Sequence, residues 1–465
     1  MDELVKPGIR EGKVEIRKEK KPNLCFGLLA DPHVTTPETC DLLEKSMRYL
    51  KARGVDAVMI PGDLTDWGLK SSLRYVRETW DRVFAGTGVV PLFCTGNHDY
   101  DGWRYSDMTL EMHANGYHER DRLNRGATGM AEAWEEIFGE PFAPVRSRVV
   151  KGYEFITGEC CVTDELAVFM AENGGRLKGE MPFFYFQHMP IKGTTFDSFG
   201  WADSGKVGPV LEQFPNCIAF TGHTHRPFID EKMIWQDRYT IVTAPSLSYT
   251  CMPAGYENAE SAGREAGAPP VMAPLAYRRD LRGGQGYVVS VWDDRVEIER
   301  RDFEEEAVDA PNWVVPLPFG EGNRPFAPAS RAAAEPAPAF PAGAKVALRT
   351  RNTWNRRGNW AIILDCRFPS ATMPGGGRVY DYEIKAVPAD GSAPLVRRFV
   401  VTSFGRLAKY EPPEQRFWFD ARDLPQDKDY VVEVRARNSF GGASEPIASA
   451  VWHGCPGLEV ADTES

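Results

Sequence analysis

The sequence predicts a two-part protein, with an α/β part over residues 23–305 and an all-β part over residues 344–455. In the first part, apolar runs alternate with helical apolar stripes from residue 24 to residue 94, as in a sheet covered by helices. In the second part, turn residues separate short alternating segments, a pattern typical of a β-sandwich. At 465 residues the chain is also too long for one ordinary domain.

The first part begins with a β-α-β-α-β order. Thr36 and Pro37 are typical of a helix start and Gly54 of a helix end, so one helix fills the interval between the first two strands. A second helix is predicted over 71–84, and later helices near 129–138 and 162–172. The predicted strands of this part are 24–30, 56–60, 90–94, 149–156, 183–187, 218–220, 239–244, 287–292 and 296–300.

Four segments lie outside this regular pattern. Residues 1–22 form a charged N-terminal tail, and residues 253–284 are predicted to be a Gly-, Pro- and Ala-rich loop. Residues 100–148 interrupt the alternation and are either a surface insertion or a cap over a site, since loops often carry binding groups. Residues 306–343 have the Pro- and Ala-rich composition of a semi-rigid linker. The predicted strands beyond this linker are 346–349, 360–366, 380–385, 397–402, 416–419 and 430–437.

Composition excludes several classes of protein. A net charge of −11 and a pI near 5.4 argue against a nucleic-acid-binding surface. The sequence has no apolar run long enough for a membrane span, and Met1–Lys21 has no apolar signal core, so we expect a cytoplasmic protein. A trimmed secretory signal would leave a similar N-terminus. Nine cysteines, an odd number without repeated spacing, indicate reduced thiols rather than a disulfide framework.

Five apolar runs end in aspartate, asparagine or histidine. Such strand ends are where α/β sheets carry their chemistry. One histidine after a strand is usually structural, but five of the eight histidines in this chain occupy these positions. The residues concerned are Asp31 and His33, Asp63, Asn97 with His98 and Asp99, His188, and His223 with His225.

These side chains can supply about eight oxygen and nitrogen ligand atoms, which is enough for two metal ions sharing one carboxylate. A mixture of oxygen and nitrogen ligands without cysteine suits two divalent or trivalent transition metal ions, drawn from Mn, Fe, Zn, Ni and Co. Two metals about 3.5–4 Å apart stabilise both the attacking and the leaving oxygen of a displacement at phosphorus. The pattern therefore predicts a two-metal centre of the kind that can support such a displacement.

The ordered motifs Asp31-x-His33, Gly62-Asp63, Gly96-Asn97-His98-Asp99, His188 and Gly222-His223-x-His225 resemble those of the calcineurin-like metallophosphoesterases over residues 24–305. The resemblance implies a four-layer αββα sandwich and hydrolysis by a hydroxide held between two metals. It also implies that the first metal is bound by Asp31, His33 and His225, the second by Asn97, His188 and His223, and both by Asp63. By the same resemblance, His98 contacts phosphate and protonates the leaving oxygen as general acid, and Asp99 orients its ring.

Two finer resemblances follow from shorter motifs. Gly62-Asp63-Leu64-Thr65-Asp66-x-Gly68 is similar to the cyclic-nucleotide phosphodiesterase-like branch, which implies a phosphodiesterase. Purple acid phosphatases place a metal-binding tyrosine where this chain has Asp66, so that branch is disfavoured. The pattern Tyr430-x-Val432-x-Val434-x-Ala436-x-Asn438-x-x-Gly441 resembles a strand of a fibronectin type III or immunoglobulin-like domain, which would contact a protein or a glycan.

Three functions remain open from the sequence. The first is a metal-dependent phosphodiesterase acting on a small-molecule ester, the second a phosphomonoesterase, and the third a metal-binding scaffold that keeps the fold for interaction. The complete set of candidate ligands argues against the scaffold. We expect residues 1–305 to hold all the chemistry, with the C-terminal domain docking, spacing or recruiting. The alternative is that its loops help to complete the site.

Overall fold

The structure is a computed structural model that describes residues 21–100, 130–160, 162–195, 202–253, 256, 275–320, 322–354, 360–420 and 423–454. Most of the predicted tail (1–22) and of the 100–148 insert lies outside the described residues, as does Cys161 of the Cys160–Cys161 pair. The described helices are α1 (Asp41–Arg53), α2 (Lys70–Phe84), α3 (Met130–Phe138), α4 (Asp164–Asn173), α5 (Val207–Leu211) and α6 (Pro328–Ala334).

The α/β part of the chain has a mixed α/β fold with several sheets, as the alternation of apolar patterns predicts. The first ten strands are β1 (Leu24–Leu28), β2 (Ala57–Pro61), β3 (Val90–Cys94), β4 (Val145–Val150), β5 (Tyr153–Gly158), β6 (Phe183–Phe186), β7 (Cys217–Thr221), β8 (Ile234–Gln236), β9 (Thr240–Thr243) and β10 (Tyr249–Pro253). They are followed by β11 (Leu275–Arg282), β12 (Gln285–Val291), β13 (Arg295–Asp302), β14 (Ala307–Val308) and β15 (Trp313–Pro316).

Two large sheets carry the site. One has the order β14-β13-β12-β1-β2-β3, with β15 also paired to β13, and the other has the order β4-β5-β6-β7-β9-β8. Strands β1, β2 and β3 are parallel to one another, and so are β5, β6, β7 and β9. Parallel neighbours end at the same edge of a sheet. Each sheet therefore brings the residues that follow its parallel strands to one edge.

The two sheets pack face to face through aromatic side chains. The ring of Phe26 on β1 lies 5.3 Å from Phe155, 5.1 Å from Phe184 and 5.8 Å from Phe220, all on the second sheet. Burial of each such ring contributes about 1.5–3 kcal/mol. Residues at the alternate positions of these strands point away from the opposite sheet. Val58 on β2 therefore packs with helices α1, α2 and α3, and Tyr185 on β6 packs with helices α4 and α5. The layers thus run helices, sheet, sheet, helices.

Two predicted elements differ from the observed ones. The single strand expected over 149–156 is a hairpin of β4 and β5, because Lys151 and Gly152 adopt φ values of 48° and 86° and reverse the chain. The loop expected over 253–284 includes β11, which pairs with β10. The hairpin is thus set by its local turn, whereas pairing with β10, rather than local composition, makes residues 275–282 a strand.

The segment predicted as a linker belongs to the packed structure. Strands β14 and β15 lie beyond the predicted boundary at residue 305 and pair with β13. Helix α6 is fixed by Arg331, which donates to the backbone carbonyl of Glu231 at 2.7 Å. Strands β14 and β15 therefore extend the first sheet, and helix α6 packs on the α/β part.

The C-terminal part is all-β, as predicted. Its strands are β16 (Ala347–Trp354), β17 (Trp360–Pro369), β18 (Asp381–Pro388), β19 (Leu395–Val400), β20 (Glu414–Asp420), β21 (Asp429–Arg437), β22 (Ile447–Ala448) and β23 (Trp452–His453). They form the antiparallel sheets β16-β17-β20 and β19-β18-β21-β22, with β23 beside β21. Its core is continuous with the core of the α/β part, since Phe228 and Tyr380 belong to one apolar cluster.

Two expectations from composition can be compared with the described part of the chain. None of its helices has the length and apolar character needed to cross a membrane. The cysteines found free among the described residues are Cys25, Cys40, Cys94, Cys160, Cys217, Cys251 and Cys366.

Candidate metal centre

The predicted site residues follow directly after parallel strands and meet at one end of the two sheets. Five of them have left-handed backbone conformations, with φ of 50° at Asp31, 48° at His33, 47° at Asp63, 72° at His223 and 50° at His225. This conformation costs a non-glycine residue about 1–2 kcal/mol. Such strain is concentrated at functional sites, where the surrounding structure maintains it.

A first cluster joins Asp31, His33, Asp63 and His225. Nε2 of His225 lies 3.3 Å from Oδ1 of Asp31 and 3.1 Å from Nε2 of His33. Nε2 of His33 lies 3.6 Å from Oδ2 of Asp63. One ligand atom from each of the four buried residues lies within 4.8 Å of the others. These four side chains could therefore hold a metal ion together.

A second cluster joins Asp63, Asn97, His188 and His223. Nε2 of His188 lies 3.2 Å from Oδ2 of Asp63, 3.0 Å from Oδ1 of Asn97 and 3.1 Å from Nδ1 of His223. The same carboxylate oxygen of Asp63 thus faces both clusters. The structure brings together all seven residues predicted to bind metal.

The hydrogen bonds made by the other ring nitrogens of these histidines test whether the clusters fit metal ions. Nδ1 of His225 donates to the carbonyl of Tyr249 at 3.0 Å, because a carbonyl can only accept. Nδ1 of His33 donates to the carboxylate of Asp66 at 2.9 Å. In neutral rings the Nε2 atoms of His33 and His225 then carry lone pairs that face each other. Their separation of 3.1 Å is less than twice the metal–nitrogen distance of about 2.0–2.1 Å, so one metal ion could bind both nitrogens. The first cluster therefore fits a cation.

The second cluster fits a cation for a similar reason. Nδ1 of His188 donates to the carbonyl of Pro61 at 2.9 Å, so the side of the ring that faces Asp63 and Asn97 carries the lone pair in the neutral form. Without metal, a proton takes this place: burial lowers the pKa of His188, but the Asp63 carboxylate outweighs burial and raises it to about 9. A bound metal would displace that proton.

The two carboxylates stay ionised although they are buried. Burial opposes the charge of Asp63, but the imidazoles of His188 and His33 outweigh it and hold the pKa of Asp63 well below its usual range. Asp31 behaves in the same way, because His225 outweighs burial and lowers its pKa. Burial together with His188 lowers the pKa of His223 to about 3, so that ring is neutral. The centre therefore offers two ionised, buried carboxylates to a cation.

His98 lies beside both clusters without being part of the metal-facing set. Its backbone N–H donates to Oδ1 of Asp63 at 2.9 Å, and its ring Nδ1 donates to the backbone carbonyl of Asp66 at 2.9 Å. Its side chain is 28% exposed, whereas the side chains of His188 and Asp63 are 0% and 1% exposed. A substrate can therefore approach the site from the side of His98.

Asp99 was expected to orient the ring of His98, but its contacts point elsewhere. Its two carboxylate oxygens accept from the backbone N–H groups of Leu64, Thr65 and Gly96 and from the hydroxyl of Thr65, at 2.8–3.1 Å. Asp99 therefore ties the Asp63 loop to the loop after β3. The group that orients the His98 ring is the main chain of Asp66.

Two glycines of the motifs are required by close approach. A Cβ on Gly62, which has φ of 85°, would lie 2.5 Å from Nδ1 of His188. A Cβ on Gly96 would lie 2.1 Å from Oδ1 of Asp63. From the sequence, Gly96 is expected to permit a sharp turn. In the structure, Gly96 leaves room for the carboxylate of Asp63.

Sequence reasoning missed two residues of the site. Asp66 accepts from His33 through Oδ1 and from His98 through its carbonyl, and its only sequence signal is its position three residues after Asp63. Tyr249 accepts from His225 and places its ring 4.1 Å from the ring of His225 and 5.4 Å from that of His33. No local motif marks Tyr249, because its approach depends on how β10 folds back.

Comparisons with solved structures gave distant likenesses. One is the GAP50 anchor in the inner membrane complex of Plasmodium, with 10% identity, a TM-score of 0.37, and coverage of 64% of this chain and 89% of that one. Another is the purple acid phosphatase PPD1 from yellow lupin seeds, with 12% identity, a TM-score of 0.38, and coverage of 63% and 54%. A third is an archaeal phosphodiesterase, with 12% identity, a TM-score of 0.23, and coverage of 63% and 100%. At these values the likenesses carry no conclusion about activity.

The sequence comparisons give one clear result. No curated protein matches the chain. Residues 26–227 match the family model described as calcineurin-like phosphoesterase. That range includes every residue of both clusters, and the match confirms the metallophosphoesterase resemblance for this part of the chain. The protein therefore contains a calcineurin-like metallophosphoesterase domain.

Proposed function

We propose that this protein hydrolyses phosphodiesters with the help of two transition metal ions. The observation that carries the proposal is the shared carboxylate of Asp63, whose Oδ2 lies 3.6 Å from Nε2 of His33 and 3.2 Å from Nε2 of His188. We assign Asp31, His33 and His225 to the first ion and Asn97, His188 and His223 to the second, with Asp63 between them. When bound, such ions ionise water near neutral pH and neutralise charge on the phosphate oxygens.

The residues of the chain hold this arrangement in place. Three histidines each donate a hydrogen bond from Nδ1 to an acceptor behind the ring: His33 to Asp66, His225 to Tyr249 and His188 to Pro61. These hydrogen bonds fix the tautomers, so that Nε2 of each ring points toward the metal site. Because Nδ1 of His98 donates to the carbonyl of Asp66, Nε2 is the ring atom that would exchange a proton with the substrate, and the imidazolium form would donate it there. Protonation of the leaving oxygen by His98 would complete the cleavage of the ester bond.

Asp66 also supports a preference for diesters. Its carboxylate is 27% exposed and lies 3.6 Å from Nδ1 of His98, on the side from which a substrate can approach. A phosphomonoester is a dianion near neutral pH, whereas a diester is a monoanion. An extra carboxylate beside the phosphate site repels the dianion more strongly, since the interaction energy scales with the product of the charges.

We propose a fibronectin-like sandwich for the C-terminal domain. Two antiparallel sheets support it. The hydroxyl of Tyr430, at the start of β21, donates to the carbonyl of Pro425 at 3.2 Å, as in the tyrosine corner of immunoglobulin-like sandwiches. Its contact with a protein or glycan, like the cytoplasmic location of the chain, stays a prediction.

Substrate profiling of the full chain tests the proposed activity. The chain would be depleted of metal, reloaded with Mn²⁺ or Co²⁺, and assayed on bis(4-nitrophenyl) phosphate and 4-nitrophenyl phosphate. We expect metal-dependent turnover with a higher kcat/KM for the diester, and none for the metal-free chain. A higher kcat/KM for the monoester would favour the phosphomonoesterase. Metal binding without hydrolysis of any ester would favour the scaffold.

A further inference from the structure

The C-terminal domain contacts both chain segments that flank the first metal cluster. One segment, residues 226–230, follows His225 directly. The other consists of β10 (Tyr249–Pro253) and Tyr256. Tyr380, Asp381 and Gly405 of the C-terminal domain touch these segments, and all three lie near the start of β18 or after the end of β19.

Strand β10 determines where the imidazole of His225 lies. The carbonyl of Tyr249 accepts from Nδ1 of His225 at 3.0 Å, and the carbonyl of His225 accepts from the backbone N–H of Cys251 at 2.8 Å. The ring of Tyr249 packs on the ring of His225 with the centroids 4.1 Å apart. The pairing of β10 with β11 shifts register between Tyr249 and Thr250, so the partner strand alone does not fix this end of β10.

The C-terminal domain holds the segment after His225 through a buried hydrogen bond. The hydroxyl of Tyr380 donates to Oδ2 of Asp230 at 2.9 Å, and both side chains are buried. Gln285 adds a second connection, because its Oε1 accepts from the backbone N–H of Phe228 at 3.0 Å while its Nε2 donates to the carbonyl of Gly405 at 3.4 Å.

The C-terminal domain holds the segment that contains β10 in a similar way. The hydroxyl of Tyr256 donates to Oδ2 of Asp381 at 2.7 Å, and Asp381 is fully buried with Arg437 3.1 Å from its other oxygen. Gly405 lies against Thr250, the residue next to Tyr249, so closely that a Cβ on this glycine would be 3.2 Å from the Thr250 side chain. Buried polar contacts of this kind fix a single geometry.

We propose that Tyr380 and Asp381 of the C-terminal domain are positioning residues for the metal centre. By holding residues 226–230, Thr250 and Tyr256, the C-terminal domain keeps Tyr249 against His225 and thereby sets the position of the His225 imidazole. The inference rests on the proposed metal site, and it gives the C-terminal domain a part in completing the centre. Its effect is expected to be largest at the first metal, because Tyr249 packs on His225 and His33, which are both assigned to that metal.

A pair of conservative substitutions tests this role in the full-length chain. Tyr256→Phe and Tyr380→Phe together remove the two hydroxyl donors without removing the rings. Tyr382→Phe is the matched control, since the Tyr382 hydroxyl accepts from the backbone N–H of Ala371 inside the C-terminal domain, away from the catalytic part. Calorimetric titration of the metal-free chains with Mn²⁺ would measure the affinity of each metal equivalent, and thermal melting would measure stability.

The expected result is selective. The double variant should bind one metal equivalent about 3- to 10-fold more weakly. This loss is at or below the roughly 10- to 100-fold effect of removing a group that hydrogen-bonds directly to a metal ligand. The other equivalent and the Tyr382→Phe variant should keep the wild-type affinities. A double variant that melts at a lower temperature but binds both equivalents like the wild type would overturn the proposal.

Two further arms keep the outcome decisive. If the double variant does not fold, Gly405→Val replaces it, because the added side chain presses on Thr250 without removing a hydrogen bond. Weaker binding of one metal equivalent by this variant would support the proposal, and unchanged binding of both would overturn it. A wild-type chain that binds metal but hydrolyses no ester would defeat the proposed function alone. The metal affinities would still decide the positioning role.

Discussion

The Nε2 atoms of His33 and His225 lie 3.1 Å apart, although the residues are 192 positions apart in the sequence. Each ring donates its Nδ1 proton to an acceptor behind it, Asp66 for His33 and Tyr249 for His225. Two nitrogen lone pairs held this close repel each other unless a cation lies between them. The protein therefore maintains, through its fold, an arrangement that metal binding relieves.

Asp63→Asn is expected to abolish activity and to weaken the binding of one or both metals. The carboxylate faces both clusters, so its neutral replacement removes charge next to two cations at once. Metal content by mass spectrometry and turnover of bis(4-nitrophenyl) phosphate would be measured on the same sample. Asp81→Asn, on an exposed carboxylate of α2, is the control. Full activity of Asp63→Asn would refute the shared-ligand assignment.

His98→Ala is expected to lower turnover while the metal content stays unchanged. General acid catalysis typically contributes about 10²–10⁴-fold to a rate. The loss should shrink for diesters with very acidic leaving groups, because these depart without a proton. A series of aryl diesters of graded leaving-group pKa would measure this dependence. An equal loss across the series would count against His98 as the acid.

Asp66→Ala is expected to weaken binding of the first metal about 10- to 100-fold, since the variant removes the acceptor that fixes the tautomer of His33. The hydrogen bond of His98 to the main chain of residue 66 does not need the side chain, so the leaving-group dependence should keep its wild-type slope. Calorimetric metal titration and the aryl diester series measure the two effects separately. Unchanged metal affinity would show that the Asp66 carboxylate does not support His33.

A chain that ends after residue 343 is expected to fold poorly. This differs from the expectation, drawn from the sequence, that residues 1–305 hold all the chemistry. The apolar cluster runs from Phe228 in the catalytic part to Tyr380 and Phe404 in the C-terminal domain, and truncation would expose it to water. Melting temperature and size-exclusion chromatography, compared with the full chain, check this. A monomeric truncated chain with the melting temperature and turnover of the full chain would contradict it.

Glu231→Gln is expected to destabilise the protein by about 1.5–3 kcal/mol at pH 7, because the carboxylate accepts from Arg300, Arg331 and Trp313. Burial raises the pKa of Glu231, but the two arginines outweigh burial and lower it. Its stabilisation is therefore present above the unfolded pKa of about 4.3 and is lost as the pH falls through the lower folded value.

Urea unfolding of the wild type and Glu231→Gln between pH 7 and pH 3 would measure this difference. Glu212→Gln, at an exposed pair with Arg238, should change stability little at any pH. A difference between Glu231→Gln and the wild type that grows as the pH falls would contradict the expected sign.

The sequence by itself determined the parts of the fold and site that are local. Strands β1, β2 and β3 and helices α1 and α2 were predictable because apolar periodicity and helix-end residues act over a few positions. The candidate ligands were predictable because each motif, such as Gly96-Asn97-His98-Asp99, joins a buried strand to a polar turn within one short stretch.

Only the tertiary structure decided which atoms support those ligands. Asp66, rather than Asp99, holds the ring of His98, and Tyr249 reaches His225 from a strand with no motif of its own. Likewise, β15 belongs to the first sheet, although the Pro- and Ala-rich composition of residues 306–343 predicted a linker. These features depend on contacts between residues far apart in the chain, whose geometry is set by the packing of whole sheets, so no local pattern of residue types encodes them.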